Sequence, residues 1–335
     1  MPSTRPVSTL AALLLLCVLL GTAPAVHAWD ATGHRLTAYV AWEFMTPRQR
    51  QNMMEILPHH PRFEQDFTRQ MPDFIQQANE QEQQRWLLGQ AAFWPDMARG
   101  FSRANQQRYS RPDWHWIDGA WVRGEATLQG NVYINTDPRP SIFDPLPGNI
   151  RHESQADNVV TALEYSLARL AGVDTDNAAR ALALCWVLHL VGDLHQPLHT
   201  GGAVTDNLFP DGDRGGNAIR IRGGSNLHAV WDQALRELPF QRTLDGLIDE
   251  ARDIQQNNRH PLAPDTELWL QESRQWLHEA VYTSSIRSAI SVADASGDRL
   301  PPLTLDEEYV ERMQDISRQR IALSGLRLAE LLTAR

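Results

Sequence analysis

The chain has 335 residues and carries 31 basic side chains, all arginine, against 41 acidic ones, for a net charge of −10. The absence of lysine excludes Schiff-base chemistry and a Walker-type phosphate loop, both of which need that ammonium group. The acidic balance argues against a broad basic footprint for duplex DNA, so attraction of a polyanion would have to come from something local, such as bound cations.

Residues 1–28 hold a single charge, Arg5, then an apolar run from Leu10 to Leu20 and small residues around Val26-His27-Ala28. That is the pattern of a cleaved secretory signal, too short to span a bilayer and stay there. Cleavage after Ala28 leaves a single domain, 29–335, beginning at Trp29, with no stable membrane association and no obligate protein partner evident. Cys185 is then the only thiol, so no intrachain disulfide is possible, and no Asn-x-Ser/Thr sequon occurs. These absences fit a secreted or periplasmic bacterial protein better than a glycosylated eukaryotic one. Cys185 itself reads as a small buried hydrophobe.

Helical patterns dominate the rest. Thr32 to Phe44 is the first, and Thr46-Pro47 opens a second that reaches about Leu57. Glutamine- and alanine-rich helices fill Met71 to Met97. Glu153 to Leu170 and Asp176 to Leu194 read as two long helices separated by Ala171-Gly172-Val173. Asn226 to Leu238 and Leu244 to Gln256 follow. Glu267 to Ile290 and Leu305 to Leu332 carry apolar residues at three- and four-residue spacing, which predicts core packing. Two regions resist helix. Gly100 to Asn149 is rich in Arg, Asp, Pro and Gly, with alternation at Trp114 to Ile117 and Val132 to Ile134 that suggests short strands. Thr200 to Gly224 is glycine-rich, with a further candidate strand at Ala218 to Arg222. The expected fold is all-α: one mostly helical domain with long irregular loops and a few short strands. Long irregular segments in compact domains tend to be functional.

The segment His189-Leu-Val-Gly-Asp193-Leu-His195-Gln-Pro-Leu-His199 ends the apolar helix with four ionisable side chains of metal-ligand type. His189 and Asp193, four apart, share one helical face and can share an ion. Ionisable groups at the end of a core helix need something to neutralise them, and a metal does so economically. His195, six residues after His189, points away from that face, so supporting a ligand is its expected role rather than ligation. Other ligand types recur in Trp29-Asp-Ala-Thr-Gly-His34, Trp94-Pro-Asp96-Met-Ala-Arg99, Asp113-Trp-His115-Trp116-Ile-Asp118 and Asn226-Leu-His228-Ala-Val-Trp-Asp232. Each has a plainer reading alone: a buried histidine held by a carboxylate at His189 and Asp193, an ion pair at Asp96 and Arg99, a core aromatic at Trp116. His59, His60, His152, His260 and His278 have no partner at ligand spacing and read as surface or structural residues.

Together, and in this order, the motifs resemble the zinc-dependent S1/P1 nuclease family, which shares its fold with bacterial zinc phospholipases C. The resemblance spans nearly all of residues 29–335. It implies three zinc ions. Asp96, His115, His189 and Asp193 would hold one. Trp29, through its free α-amine and carbonyl, would hold a second with His34 and the shared Asp193. His199, His228 and Asp232 would hold the third. It also implies hydrolysis of single-stranded DNA and RNA to 5′-phosphorylated products, with 3′-nucleotides as further substrates. Asp96 would orient the attacking water and Arg99 would stabilise charge developing on the phosphoryl oxygens. Asn217, in Gly215-Gly216-Asn217, would touch the scissile phosphate, and Trp116 would stack on a base. Two rivals remain. A zinc phospholipase C would carry glutamate in place of Asp232 and a longer interval from Trp29 to His34. A non-catalytic zinc-binding or scavenging protein would have no use for Arg99, Asn217 or an accessible aromatic beside the ions.

Overall fold

The computed structural model describes residues 29–118, 120–122, 125–127, 130–136, 150, 152–172 and 175–333. The expected leader, 1–28, lies outside them. Helix α1 (Ala31–Phe44) starts at Asp30, whose carboxylate accepts from the Thr32 and Gly33 amides. Helix α2 (Pro47–Ile56) opens on a reciprocal cap between Thr46 and Gln49 with Pro47 in its first turn, as expected. The stretch 71–97 is one short turn, Asp73–Gln76, followed by α3 (Glu80–Met97) capped by Asn79. Helix α4 (Arg103–Tyr109) falls inside the region read as irregular. It is too short and too polar to show a periodic apolar face.

Helix α6 (Asn177–Leu194) matches its predicted span closely, whereas α5 (Val159–Leu170) begins at the Asn158 cap, six residues later than expected, after a separate 3₁₀ turn at Glu153–Gln155. Helix α7 (Leu227–Asp232) is shorter than the Asn226–Leu238 expected. The Asp232 carbonyl, which would accept from Arg236 in a continuing helix, accepts instead from the Asp30 amide at 3.1 Å. Helix α8 (Phe240–Gln256) follows. The predicted helix Glu267–Ile290 is divided into α9 (Thr266–Trp276), a π-turn over Leu277–Val281, and α10 (Ser284–Ser296). At the break, the Tyr282 hydroxyl donates to buried Asp213 at 2.7 Å. Helix α11 (Glu307–Leu331) ends the described chain apart from two residues.

Strands are minor. β1 (Ala120–Val122) pairs antiparallel with β2 (Glu125–Thr127), Trp121 opposite Ala126. β3 (Val132–Tyr133) pairs in parallel with β4 (Ala203–Val204), joining the two irregular regions. The expected strand Trp114–Ile117 is absent; Pro112–His115 forms a 3₁₀ turn and Trp116 is extended. Ala218–Arg222 makes only isolated bridges, Arg220 with Asn226 and Ile221 with Leu303.

Helix α6 is the centre of the molecule. Every residue from Ala183 to Leu194 is buried, with α3, α5, α1 and α11 packed around it. A helix apolar on all sides has no solvent face to present, so it must be enclosed. Helix α11 runs through three apolar clusters: Met313 and Ile316 in one, Ile321 to Leu326 in another, Leu328 and Leu331 in the one around α6. It approaches α1 closely because position 325 is glycine; a Cβ there would sit 2.6 Å from the Val40 Cβ. Among the described residues no helix is long and apolar enough to cross a membrane.

Candidate metal centre

The C-terminal half of α6 carries His189 and Asp193 into a fully buried polar cluster. α1 adds His34, whose ring stacks on His189 with centroids 3.9 Å apart. The end of α3 adds Asp96, and the 3₁₀ turn before Trp116 adds His115. Asp193 faces two ways. Its Oδ1 lies 3.5 Å from His34 Nε2, and its Oδ2 lies 3.2 Å from both His115 Nδ1 and His189 Nε2. A carboxylate so placed can bridge two ions. A neighbouring set joins His199, from the turn after α6, to His228 and Asp232 of α7. Ligand atoms within each of the groups His34–His189–Asp193, Asp96–His115–His189 and His199–His228–Asp232 lie within 4.8 Å of one another.

Three imidazoles are oriented by backbone carbonyls. His189 Nδ1 donates to the Ala92 carbonyl at 2.8 Å, His199 Nδ1 to His115 at 2.5 Å and His228 Nδ1 to Gly215 at 2.6 Å. A carbonyl can only accept, so each Nδ1 carries the proton and each Nε2 turns a lone pair into the cluster. His199 Nε2, His228 Nε2 and Asp193 Oδ1 are buried with no hydrogen-bond partner. Such atoms are costly in a dry interior, and a cation supplies the missing interaction.

The electrostatics point the same way. Burial pushes the Asp96 carboxyl up to about 6, and those of Asp193 and Asp232 up to about 7. Burial also lowers His189 to about 4, carries His115 well below its usual value, and lowers His199 and His228. The imidazoles are therefore neutral, as ligands must be, and burial makes the ionised carboxylates costly until a positive charge joins them. Neutral imidazole nitrogens and carboxylate oxygens are the donor set zinc takes. The residues fit a cluster of metal ions.

The amino end expected at Trp29 lies against this cluster. The Trp29 indole donates to the Gly192 carbonyl at 3.0 Å, and the next amide, Asp30, bonds to Asp232. His195 is buried but points away, as expected of its position. It does not touch a ligand side chain; its Nδ1 donates to Val191 and its Nε2 accepts from Arg327 Nη1 at 2.9 Å. It therefore holds the end of α6 rather than a ligand. Of the other histidines, His60 is buried, its ring edge-on to Trp94.

A cleft of about 600 Å³ opens over the cluster, lined in part by Arg99, Trp116, Asp118, His199, Arg214 and Asn217. Arg99 Nε stands 3.4 Å from Asp96 Oδ1. The two tryptophans flanking His115 separate: Trp114 is buried with its indole bonded to the Ala156 carbonyl, whereas Trp116 is half-buried and faces the cleft. Two participants escape a search for ligand types. Gln196 donates to Asp232 Oδ1 at 2.6 Å, and Arg214 lies at the cleft edge. An amide inside the ligand motif and an arginine beside a double glycine were the only signals available.

The S1/P1 nuclease family model matches residues 29–335. The chain belongs to the S1/P1 nuclease family. The match bears out the expected resemblance, the mostly helical fold and the enzyme class, a nuclease. Endonuclease 1 of Arabidopsis thaliana is 25% identical over 97% of this chain and 92% of its own length. Endonuclease 4 of the same plant is 32% identical over 45% of this chain, and Nuclease S1 of Aspergillus oryzae is 26% identical over 48%. These last two are matched over only about half of their own lengths, 49% and 56%.

Proposed function

We propose that the protein is an exported nuclease that holds three zinc ions and hydrolyses single-stranded DNA and RNA to 5′-phosphorylated products, with 3′-nucleotides as further substrates. The reading is carried by one observation: a buried cluster of neutral imidazoles and carboxylates with unsatisfied ligand atoms opens into a cleft edged by a cation and an aromatic ring. Asp96, His115, His189 and Asp193 are assigned to one ion. The Trp29 amine and carbonyl, His34 and the shared Asp193 are assigned to the second, and His199, His228 and Asp232 to the third. When bound, such ions polarise a phosphoryl oxygen and lower the pKa of water so that it attacks at neutral pH.

The chain's own side chains do the rest. Asp96, buried beside the cleft residue Arg99, orients the attacking water and takes up its proton. Arg99 offers a planar fork of donors to the non-bridging oxygens of the phosphate as charge grows on them. Asn217 is fixed by its side-chain amide, which donates one N–H to the Arg214 carbonyl at 2.8 Å and leaves the other N–H to donate to a phosphate oxygen. Trp116 gives a base a flat apolar surface, and an unpaired base stacks there without first leaving a duplex. Export and a bacterial source accord with the sequence of residues 1–28, and the family match itself begins at Trp29.

The purified protein is incubated with heat-denatured DNA, RNA, a 3′-nucleotide and phosphatidylcholine, with and without chelator. Chelator-sensitive release of 5′-nucleotides is expected; release from the lipid alone would make the protein a phospholipase, and zinc binding without turnover would make it a scavenger. A form retaining one residue before Trp29 is expected to bind one zinc fewer, or to bind it far more weakly, by metal analysis. Three tightly bound ions in that form would remove the amine from the ligand set.

A further inference from the structure

Arg214 lies in the loop between β4 and α7, at the edge of the cleft. Its φ is +60°, and Gly215 and Gly216 follow at +58° and +79°. Three successive residues therefore wind left-handed. Glycine adopts this conformation freely, while a side chain with a Cβ is strained by it. The loop cannot relax to relieve that strain, because both flanks are pinned. On one side buried Asp213 accepts from the Ala203 amide at 3.0 Å and from the Tyr282 hydroxyl at 2.7 Å. On the other, the Gly215 carbonyl accepts from His228, and a Cβ at 215 would lie 2.4 Å from the Leu198 carbonyl. Strain that the surroundings over-determine at the rim of a cleft is a sign of a side chain kept for use.

That side chain is exposed and, among the described residues, makes no hydrogen bond or close ion pair, although Asp118 of the same cleft lining lies near enough to feel its charge. Arg99 and Arg214 are the two cations of the cleft lining in a chain of net charge −10. Arg99 lies inside, close to Asp96. Arg214 lies on the wall built by the Gly215–Asn217 turn, where it is open to a ligand. A polynucleotide brings one phosphate per residue, so a strand engaged at the ion cluster by one phosphodiester presents the next one close by. We infer that Arg214 forms a second phosphate subsite, binding the phosphodiester adjacent to the one being cleaved. The inference rests on the nuclease reading and adds to it a preference for substrates longer than a dinucleotide.

Zinc-loaded parent protein and Arg214→Gln are compared on an oligothymidylate and on the thymidine dinucleotide, which has only the scissile phosphate. The ratio of kcat/KM for the oligomer to that for the dinucleotide is expected to fall about tenfold in the variant. The slope of log KM for the oligomer against log salt should flatten by about 0.7, the value for one contact to a single strand. A ratio and slope equal to the parent's would overturn the subsite, whether both activities fall together or neither changes. Arg214→Gly separates function from folding: it relieves the backbone strain, so the same fall in ratio is expected with Tm equal or higher. A lower Tm with an unchanged ratio would make Arg214 a structural residue instead. Anisotropy with a labelled phosphorothioate oligothymidylate repeats the comparison without turnover, with about tenfold weaker binding expected for Arg214→Gln. A parent protein that binds this probe but cleaves neither substrate would remove the nuclease reading, and the variant's affinity would still decide the subsite.

Discussion

Gln196 Nε2 donates to Asp232 Oδ1 at 2.6 Å while its Oε1 accepts from the Leu198 amide at 2.5 Å. One fully buried amide thus couples the turn that carries His199 to the carboxylate on α7. The geometry matters because His199 and Asp232 come from separate elements and belong to the same ligand group. Groups that orient a ligand typically change metal affinity by about 10–100-fold when removed. Gln196→Leu is therefore expected to weaken one zinc by that factor in competition with a chromophoric chelator. An unchanged affinity in a natively folded variant would show that Asp232 needs no such support.

Trp114 and Trp116 flank His115 but have opposite surroundings. Trp116→Ala is expected to weaken binding of a single-stranded oligonucleotide by about 1–3 kcal/mol, the usual worth of one base on an aromatic ring. Trp114→Ala opens a cavity beside Trp186 and Tyr165 and should cost about 3–5 kcal/mol of stability. Fluorescence titration with the oligonucleotide and urea unfolding measure the two effects. Parent-like affinity in Trp116→Ala would take the base off this ring.

The end of α6 is held from behind by an ionic network. Glu272 accepts from Arg320 at 2.8 Å and from both terminal nitrogens of Arg327 at 2.6 and 2.8 Å, while Arg320 Nε donates to the His195 carbonyl at 3.2 Å. Burial by itself would raise the Glu272 carboxyl, but hydrogen bonds from His260 and Arg327 and the nearby Arg320 outweigh it and hold the group far below the carboxylate range. A carboxylate depressed in the folded state stabilises fully above its unfolded value, about 4.5, and that contribution is lost as pH falls toward its folded value. Glu272→Gln leaves two buried guanidinium groups short of charge and is expected to cost about 3–5 kcal/mol at pH 7. The gap between parent and variant in urea unfolding should narrow below pH about 4.5. A gap that stays constant into acid would contradict the assignment.

Much of this was legible in the one-dimensional pattern. The continuous apolar run that ends in His189 and Asp193 demanded both an enclosed helix and a neutralising ion. α6 meets the first demand by its burial, and the ligand atoms meeting around Asp193 are suited to the second. The cap at Thr46 and the start of α6 followed from local chemistry that acts within a turn of the helix, whereas the caps at Asp30 and Asn158 set starts that the sequence pattern misplaced. Less was legible where a distant partner decides. α7 stops at Asp232 because Asp30 takes its carbonyl, and the helix after α9 breaks where the Tyr282 hydroxyl bonds to Asp213, in both cases through residues far away in the chain. The short-strand expectation for Trp114–Ile117 failed for the same reason: alternation there serves His115, which turns inward, and Trp116, which turns to the cleft.

The amino-acid order alone determined where most of the long helices lie, which residue types gather at their ends, and the resemblance to the family. Those properties depend on periodicity, capping and side-chain chemistry, all of which are local. Only the tertiary structure decided that Asp193 faces His34 with one oxygen and His115 and His189 with the other, that Gln196 reaches Asp232, and that Arg214 is held strained at the cleft edge. Those facts arise from contacts between residues remote in sequence, and their direction in space is set by how the enclosed helices pack.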